Sequence, residues 1–108
     1  ITMSEIEKLT NEIKLATDYQ INKRILREKI QTDLHVTYNG GLFKVTPEMI
    51  MFANLQTLNE HFYLEDVYQN PIHITSPKEF TELCNEHYQR VMNTWHQQHS
   101  ELKRLRKI

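Results

Sequence analysis

Cys84-Asn85-Glu86-His87 and His96-Gln97-Gln98-His99 each set two metal-ligating side chains three residues apart. On a helix that spacing is about one turn, so a thiolate or neutral imidazole could meet a soft divalent ion there. Neither pair supplies the three or four protein donors that zinc sites use. The pairs are also nine residues apart, roughly 13 Å along a helix, so a straight helix cannot bring both to one ion. The expectation is no metal. Cys84 then acts as a small buried apolar residue, with His96 and His99 on a solvated or partner-facing surface. Glu65-Asp66 beside His61 or His73 is the arrangement that could move a proton. No glycine-rich phosphate loop, G-x-S-x-G elbow or H-E-x-x-H accompanies it, and adjacent acids ahead of a turn are ordinarily solvated. The reading is a non-enzymatic chain with no catalytic residue and no cofactor.

Two basic clusters, Lys23, Arg24, Arg27 and Lys29, and then Lys103, Arg104, Arg106 and Lys107, have the chemistry for phosphate contacts. The whole chain carries 13 Lys+Arg against 14 Asp+Glu, so nucleic-acid association rests on these local patches alone and stands as the alternative function. Cations near a helix C-terminus also simply complement its dipole, and residues 23–29 could face Glu79, Glu82 and Glu86. Tyr88, Val91, Trp95, Leu102 and Leu105 form an apolar, partly aromatic series suited to contact with another chain.

These residues must be held by a small fold. A chain of 108 residues implies one domain, residues 1–108; a lone cysteine excludes an internal disulfide; and no apolar run approaches the roughly 20 residues of a membrane helix. Ile1 to Leu9 is broken by charges and is not a secretory signal, so the expected compartment is cytoplasmic. Met3-Ser4 reads as a start, which leaves Ile1 and Thr2 outside the fold.

Breaker-free sequence predicts a helix over about 4–31, opened by a Ser4–Glu7 capping box, with Ile6, Leu9, Ile13, Ala16, Tyr19, Ile25, Leu26 and Ile30 as one apolar face. Ser76-Pro77-Lys78-Glu79 opens a second long helix over about 77–106, whose seam is Phe80, Cys84, Tyr88, Val91, Trp95, Gln98, Leu102 and Leu105. Between them lie a β-hairpin over about 34–46, a short helix over about 47–58 capped by Thr46-Pro47, and a second hairpin over about 62–75. Asn39-Gly40 as a two-residue type I′ turn sets Val36 opposite Phe43 and Leu34 opposite Val45, gathering four apolar side chains on one face.

The expected fold is therefore α+β, with long N- and C-terminal helices packed antiparallel and two hairpins and a short helix between them. Charge supports that orientation. Residues 1–20 sum to −2 and 21–31 to +3, while the final helix runs from −2 near its start to +3 at its end. On this reading the two basic clusters occupy opposite ends of the stalk. Helices of roughly 40 to 45 Å cannot fit a globule with a radius of gyration near 13 Å, so the molecule should be elongated. A two-helix stalk leaves part of its seam bare, and the expectation is a homodimer with twofold symmetry, working through contact with a further protein.

Leu26-Arg27-Glu28-Lys29-Ile30-Gln31-Thr32-Asp33-Leu34, Tyr38-Asn39-Gly40-Gly41-Leu42-Phe43-Lys44-Val45-Thr46-Pro47-Glu48 and Tyr88-Gln89-Arg90-Val91-Met92-Asn93-Thr94-Trp95-His96 together resemble small uncharacterised proteins of marine cyanobacterial tailed phages. The resemblance implies expression inside a bacterial host, in its cytoplasm or in the virion. It implies an assembly, virion or host-takeover accessory, and it assigns no residue a role.

Overall fold

The computed structural model describes residues 3–106. Helix α1 (Met3–Asp33) leads into strands β1 (His35–Tyr38) and β2 (Gly41–Lys44), then helix α2 (Pro47–Leu55) with a 3-10 turn at Gln56–Leu58. Strands β3 (Phe62–Glu65) and β4 (Pro71–Ile74) follow, and helix α3 (Pro77–Arg106) completes the α+β order expected from the sequence. Each strand pair is a separate two-stranded antiparallel sheet. The radius of gyration is 20.7 Å and the extents are 73 × 23 × 17 Å, well beyond a compact globule of this length.

The turn chemistry acts as the residues dictate. Asn39 and Gly40 both take positive φ, 48° and 83°, and β1 pairs with β2 so that Val36 meets Phe43. The Val45 N–H donates to the Leu34 C=O at 2.9 Å, extending the same register. Thr46 Oγ1 accepts from the Met49 N–H at 3.1 Å with Pro47 behind it, and Ser76 Oγ accepts from the Glu79 N–H at 3.4 Å. The Ser4 capping box does not form, because the helix is already present at Met3 and Ser4 has helical backbone, whereas a capping residue must not. Met3 is a good helix former, so nothing local forces the helix to begin later.

Two clusters make the core. In the first, Val36, Phe43, Val45, Ala53, Phe62 and Ile74 close around Phe80 and Cys84 from the first two turns of α3. Phe80 is the hub, meeting the rings of Tyr38, Phe43 and Phe62 edge-on at centroid distances of 5.1, 5.3 and 6.3 Å. In the second, Leu26, Ile30 and Leu34 pack on Val91, flanked by Tyr88, Met92 and Leu102. The α3 seam thus serves the hairpins first and α1 afterwards.

That division sets the helix register and corrects two expectations. His87 Nε2–H donates to the C=O of Asp33, so α1 ends level with the third turn of α3. Because the hairpins occupy the start of α3, residues 23–29 cannot face Glu79 and Glu82; they lie level with the stretch near Trp95 and His99 instead. Continuing at about 1.5 Å per residue, Arg106 falls level with about residue 14, and α1 runs on roughly 16 Å past the described end of α3. Burial agrees: Leu15 and Tyr19 are half-buried, while every residue from Ser4 to Lys14 is exposed. The basic end of α3 therefore sits beside the middle of α1, not at the far end of the stalk from residues 23–29.

The apolar face of α1 is also two faces. Two successive steps of three residues, Ile13 to Ala16 to Tyr19, turn the line by about 120°. Leu26 and Ile30 meet α3, while Ile6, Leu9 and Ile13, 45%, 56% and 59% exposed, lie about 100° around the helix.

Candidate functional site

Where α1 ends, three elements converge on one concave surface. α1 presents Lys23 and Arg27, the end of β2 presents Lys44, and α3 presents Tyr88, Met92, Trp95 and His99. Ile30, Leu34 and Val45 form the floor, and Thr46, Pro47 and Glu48 close the side at the start of α2. The cleft measures about 530 Å³. Its form follows from the fold, since Leu34 and Val45 close the first hairpin directly under the C-terminal turn of α1. The Thr46 cap then fixes where α2 departs.

The cleft is basic at the rim and aromatic inside. Among the described residues that line it, Glu48 is the carboxylate set against Lys23, Arg27, Lys44 and the imidazole of His99. Trp95 is 41% exposed and lies 5.8 Å from the ring of His99, while Tyr88 is half-buried beside the core. Such a surface can hold a carboxylate or phosphate while burying an apolar or planar group against the indole.

The structure thus joins members of two candidate sets. Tyr88 and Trp95 from the interaction series share the cleft with Lys23 and Arg27 from the basic series. Val91 is only 7% exposed and is occupied by the α1–α3 seam, Leu102 is half-buried there, and Leu105 is 58% exposed near the end of α3. Lys29 lines a shallower groove on the opposite side of the two helices with Gln98 and Glu101. Arg24 and Lys103 are exposed. Arg104 bonds Glu101 within α3, holding that carboxyl below its ordinary value. Arg106 ends α3, and Lys107 lies outside the described residues. Sequence reasoning missed Lys44 as a site residue. Its signal was the outward position opposite His35 in the predicted hairpin, but the packing of that hairpin under α1 is not a local property.

Most of the residues with metal or proton-transfer spacing are engaged elsewhere. Cys84 is fully buried, and burial pushes its thiol up to about 11. His87 caps α1, and His96 is exposed. Among the described residues no group of three or more His, Cys, Asp or Glu is placed to hold a metal ion. Asp66 is not solvated as expected: it is 6% exposed and its carboxylate accepts backbone N–H groups from Asn70, Tyr68 and Leu42 at 2.9, 3.0 and 3.2 Å. Those bonds, the one from Asn70 foremost, lower its pKa against the opposing effect of burial. His61 and His73 form a pair of their own, His73 Nε2 and His61 Nδ1 lying 3.1 Å apart with Tyr63 stacked on His73.

Comparison with protein-family models, curated proteins and solved structures gives no match to this chain. No helix of the described residues is long and apolar enough to cross a membrane.

Proposed function

We propose that the protein is a non-enzymatic interaction accessory whose cleft receives an acidic protein segment carrying apolar anchors. One observation carries this reading: Lys23, Arg27 and Lys44 line one cleft with the half-exposed Trp95 and the buried Ile30, Leu34 and Val45, joining cations to an aromatic and apolar surface. A cavity of about 530 Å³ suits a few anchoring side chains. Tryptophan, tyrosine and arginine are also the residues most enriched in binding hot spots. Nucleic acid is the weaker occupant. A strand-binding groove needs its cations in a continuous track, and here Lys29 is on the opposite side of the helix pair while Arg104 is tied to Glu101. Action through contacts rather than chemistry also fits the phage-accessory resemblance.

Trp95 is the chain's only tryptophan and reports on the cleft directly. A synthetic acidic peptide with leucines at helical spacing should shift Trp95 emission saturably, and a basic peptide of the same pattern should not. Arg27→Glu should abolish the shift while leaving the circular dichroism spectrum unchanged. Equal responses to both peptides, or none at concentrations where the chain is monomeric, overturn the reading. A response confined to single-stranded oligonucleotide transfers the cleft to the nucleic-acid alternative.

A further inference from the structure

The N-terminal half of α1 is an exposed rod with its own apolar stripe. Ser4 to Lys14 are all exposed, and Ile6, Leu9 and Ile13 lie along one line of it. By helical geometry that line continues through Ala16 and Gln20 into Arg24, Arg27 and Gln31, the face that opens on the cleft. One end of the line is therefore apolar with Glu12 at its edge, and the other carries Arg24 and Arg27 at the basic rim of the cleft. The formal charges, −2 over residues 1–20 and +3 over residues 21–31, divide the helix in the same way.

We infer that the cleft is filled by the N-terminal half of α1 from a second copy of this chain, the two α1 helices lying antiparallel about a twofold axis near their midpoint. This identifies the occupant and rests on the cleft reading above. Pairing along the whole helix with the axis between about residues 17 and 18 sets Ile6 and Leu9 level with about residues 26–29 of the partner. That is the segment bearing Arg27 and the cleft floor. The same register sets Glu12 level with Lys23. A twofold axis normal to two antiparallel helices brings like edges together, and Glu12 and Lys23 project from the same edge of the stripe, the one nearer α3. Ala16, small and close to the axis, lets the backbones approach. The arrangement is isologous, so each copy gives one rod and fills one cleft, and the assembly closes at two.

The test uses the full chain. Sedimentation velocity over a concentration series should give a dimer, and Trp95 emission should change over the same range. Ile6→Glu with Ile13→Glu replaces two exposed residues, so the chain should keep its helical spectrum and sediment as a monomer. Glu12→Lys and Lys23→Glu should each weaken self-association roughly tenfold, since each broken pair occurs twice, and an equimolar mixture of the two variants should recover association. A strict monomer at the highest concentration, a dimer indifferent to Ile6→Glu/Ile13→Glu, or a mixture no tighter than either variant alone overturns the inference. The acidic peptide separates the two levels of argument. If the chain is monomeric yet the peptide still shifts Trp95, the occupant is another protein and the cleft reading stands; if the peptide is inert as well, that reading fails.

Discussion

The carboxylate of Asp66 accepts the backbone N–H of Leu42, 24 residues earlier in the chain, at 3.2 Å, and the N–H of the next residue, Val67, returns to the Leu42 C=O at 2.9 Å. Leu42 pairs with Thr37 at a position whose backbone groups point away from β1, because the neighbouring pairs use theirs. The turn of the second hairpin therefore covers the open edge of the first. Two short strand pairs that would each be marginal alone are locked into one platform, and that platform carries Lys44 and Val45 into the cleft.

Acid should loosen this joint. Asp66 has a folded pKa below its ordinary value of 3.8, so the folded state holds its proton less readily than the unfolded chain. Its contribution to stability is complete above about pH 4 and disappears as pH falls through the lowered folded value. Asp66→Asn should lower the melting midpoint at neutral pH and flatten its fall below pH 4. Amide exchange at Leu42 and Asn70 should accelerate first, and equal acid slopes for the two proteins would disprove the assignment.

Gly41 should tolerate alanine worse than Gly40, although Gly40 is the residue with the left-handed backbone. A Cβ at Gly40 meets open space, leaving only the strain of φ 83°, about 1–2 kcal/mol. A Cβ at Gly41 would lie 2.5 Å from Cγ1 of Ile72 on β4, a clash between the hairpins expected to cost about 1–3 kcal/mol. Chemical denaturation of the two variants gives the order. Adding Ile72→Ala to Gly41→Ala should cost less than the sum of the separate changes, since the second removes what the first strikes.

The contrast between these glycines marks how far the sequence could be read. Asn39-Gly40, Thr46-Pro47 and Ser76-Pro77 act within four residues of themselves, and the turn register and both caps follow from their chemistry alone. Gly41, Asp66 and Lys44 act across 24 or more residues or through the seating of a whole hairpin, and no local pattern announces that. The antiparallel helices were legible from connectivity. Their offset was not, because it depends on Phe80 and Cys84 being claimed by the hairpins before α1 can reach α3. The cleft inherits that offset: Trp95 could be nominated from the sequence, but its meeting with Lys23 and Arg27 could not.

His87→Ala should destabilise the fold by about 1 kcal/mol, the worth of one hydrogen bond to an otherwise unpaired carbonyl. His87 reaches from α3 to the C=O of Asp33, one of the four carbonyls that the end of α1 leaves without a partner inside the helix. Gln at this position keeps a donor and should recover part of the loss, whereas Phe fills the space and should not. Thermal melts of the three variants decide, and the unfavourable result is His87→Phe as stable as the parent.

Cys84 should set an alkaline limit on stability. Its thiol is fully buried beside Phe80, and desolvation raises its folded pKa to about 11 from 9.0. The unfolded chain gives up this proton first as pH rises, so between about pH 9 and pH 11 the unfolded state binds fewer protons and the stabilising difference declines. Cys84→Ala removes that slope at the cost of a small cavity, leaving a variant weaker at pH 7 but less sensitive to alkali. In the native chain at pH 8 the thiol should resist an aromatic disulfide reagent until denaturant is added. Rapid labelling of the folded protein would mean that the first core cluster opens far more often than its packing allows.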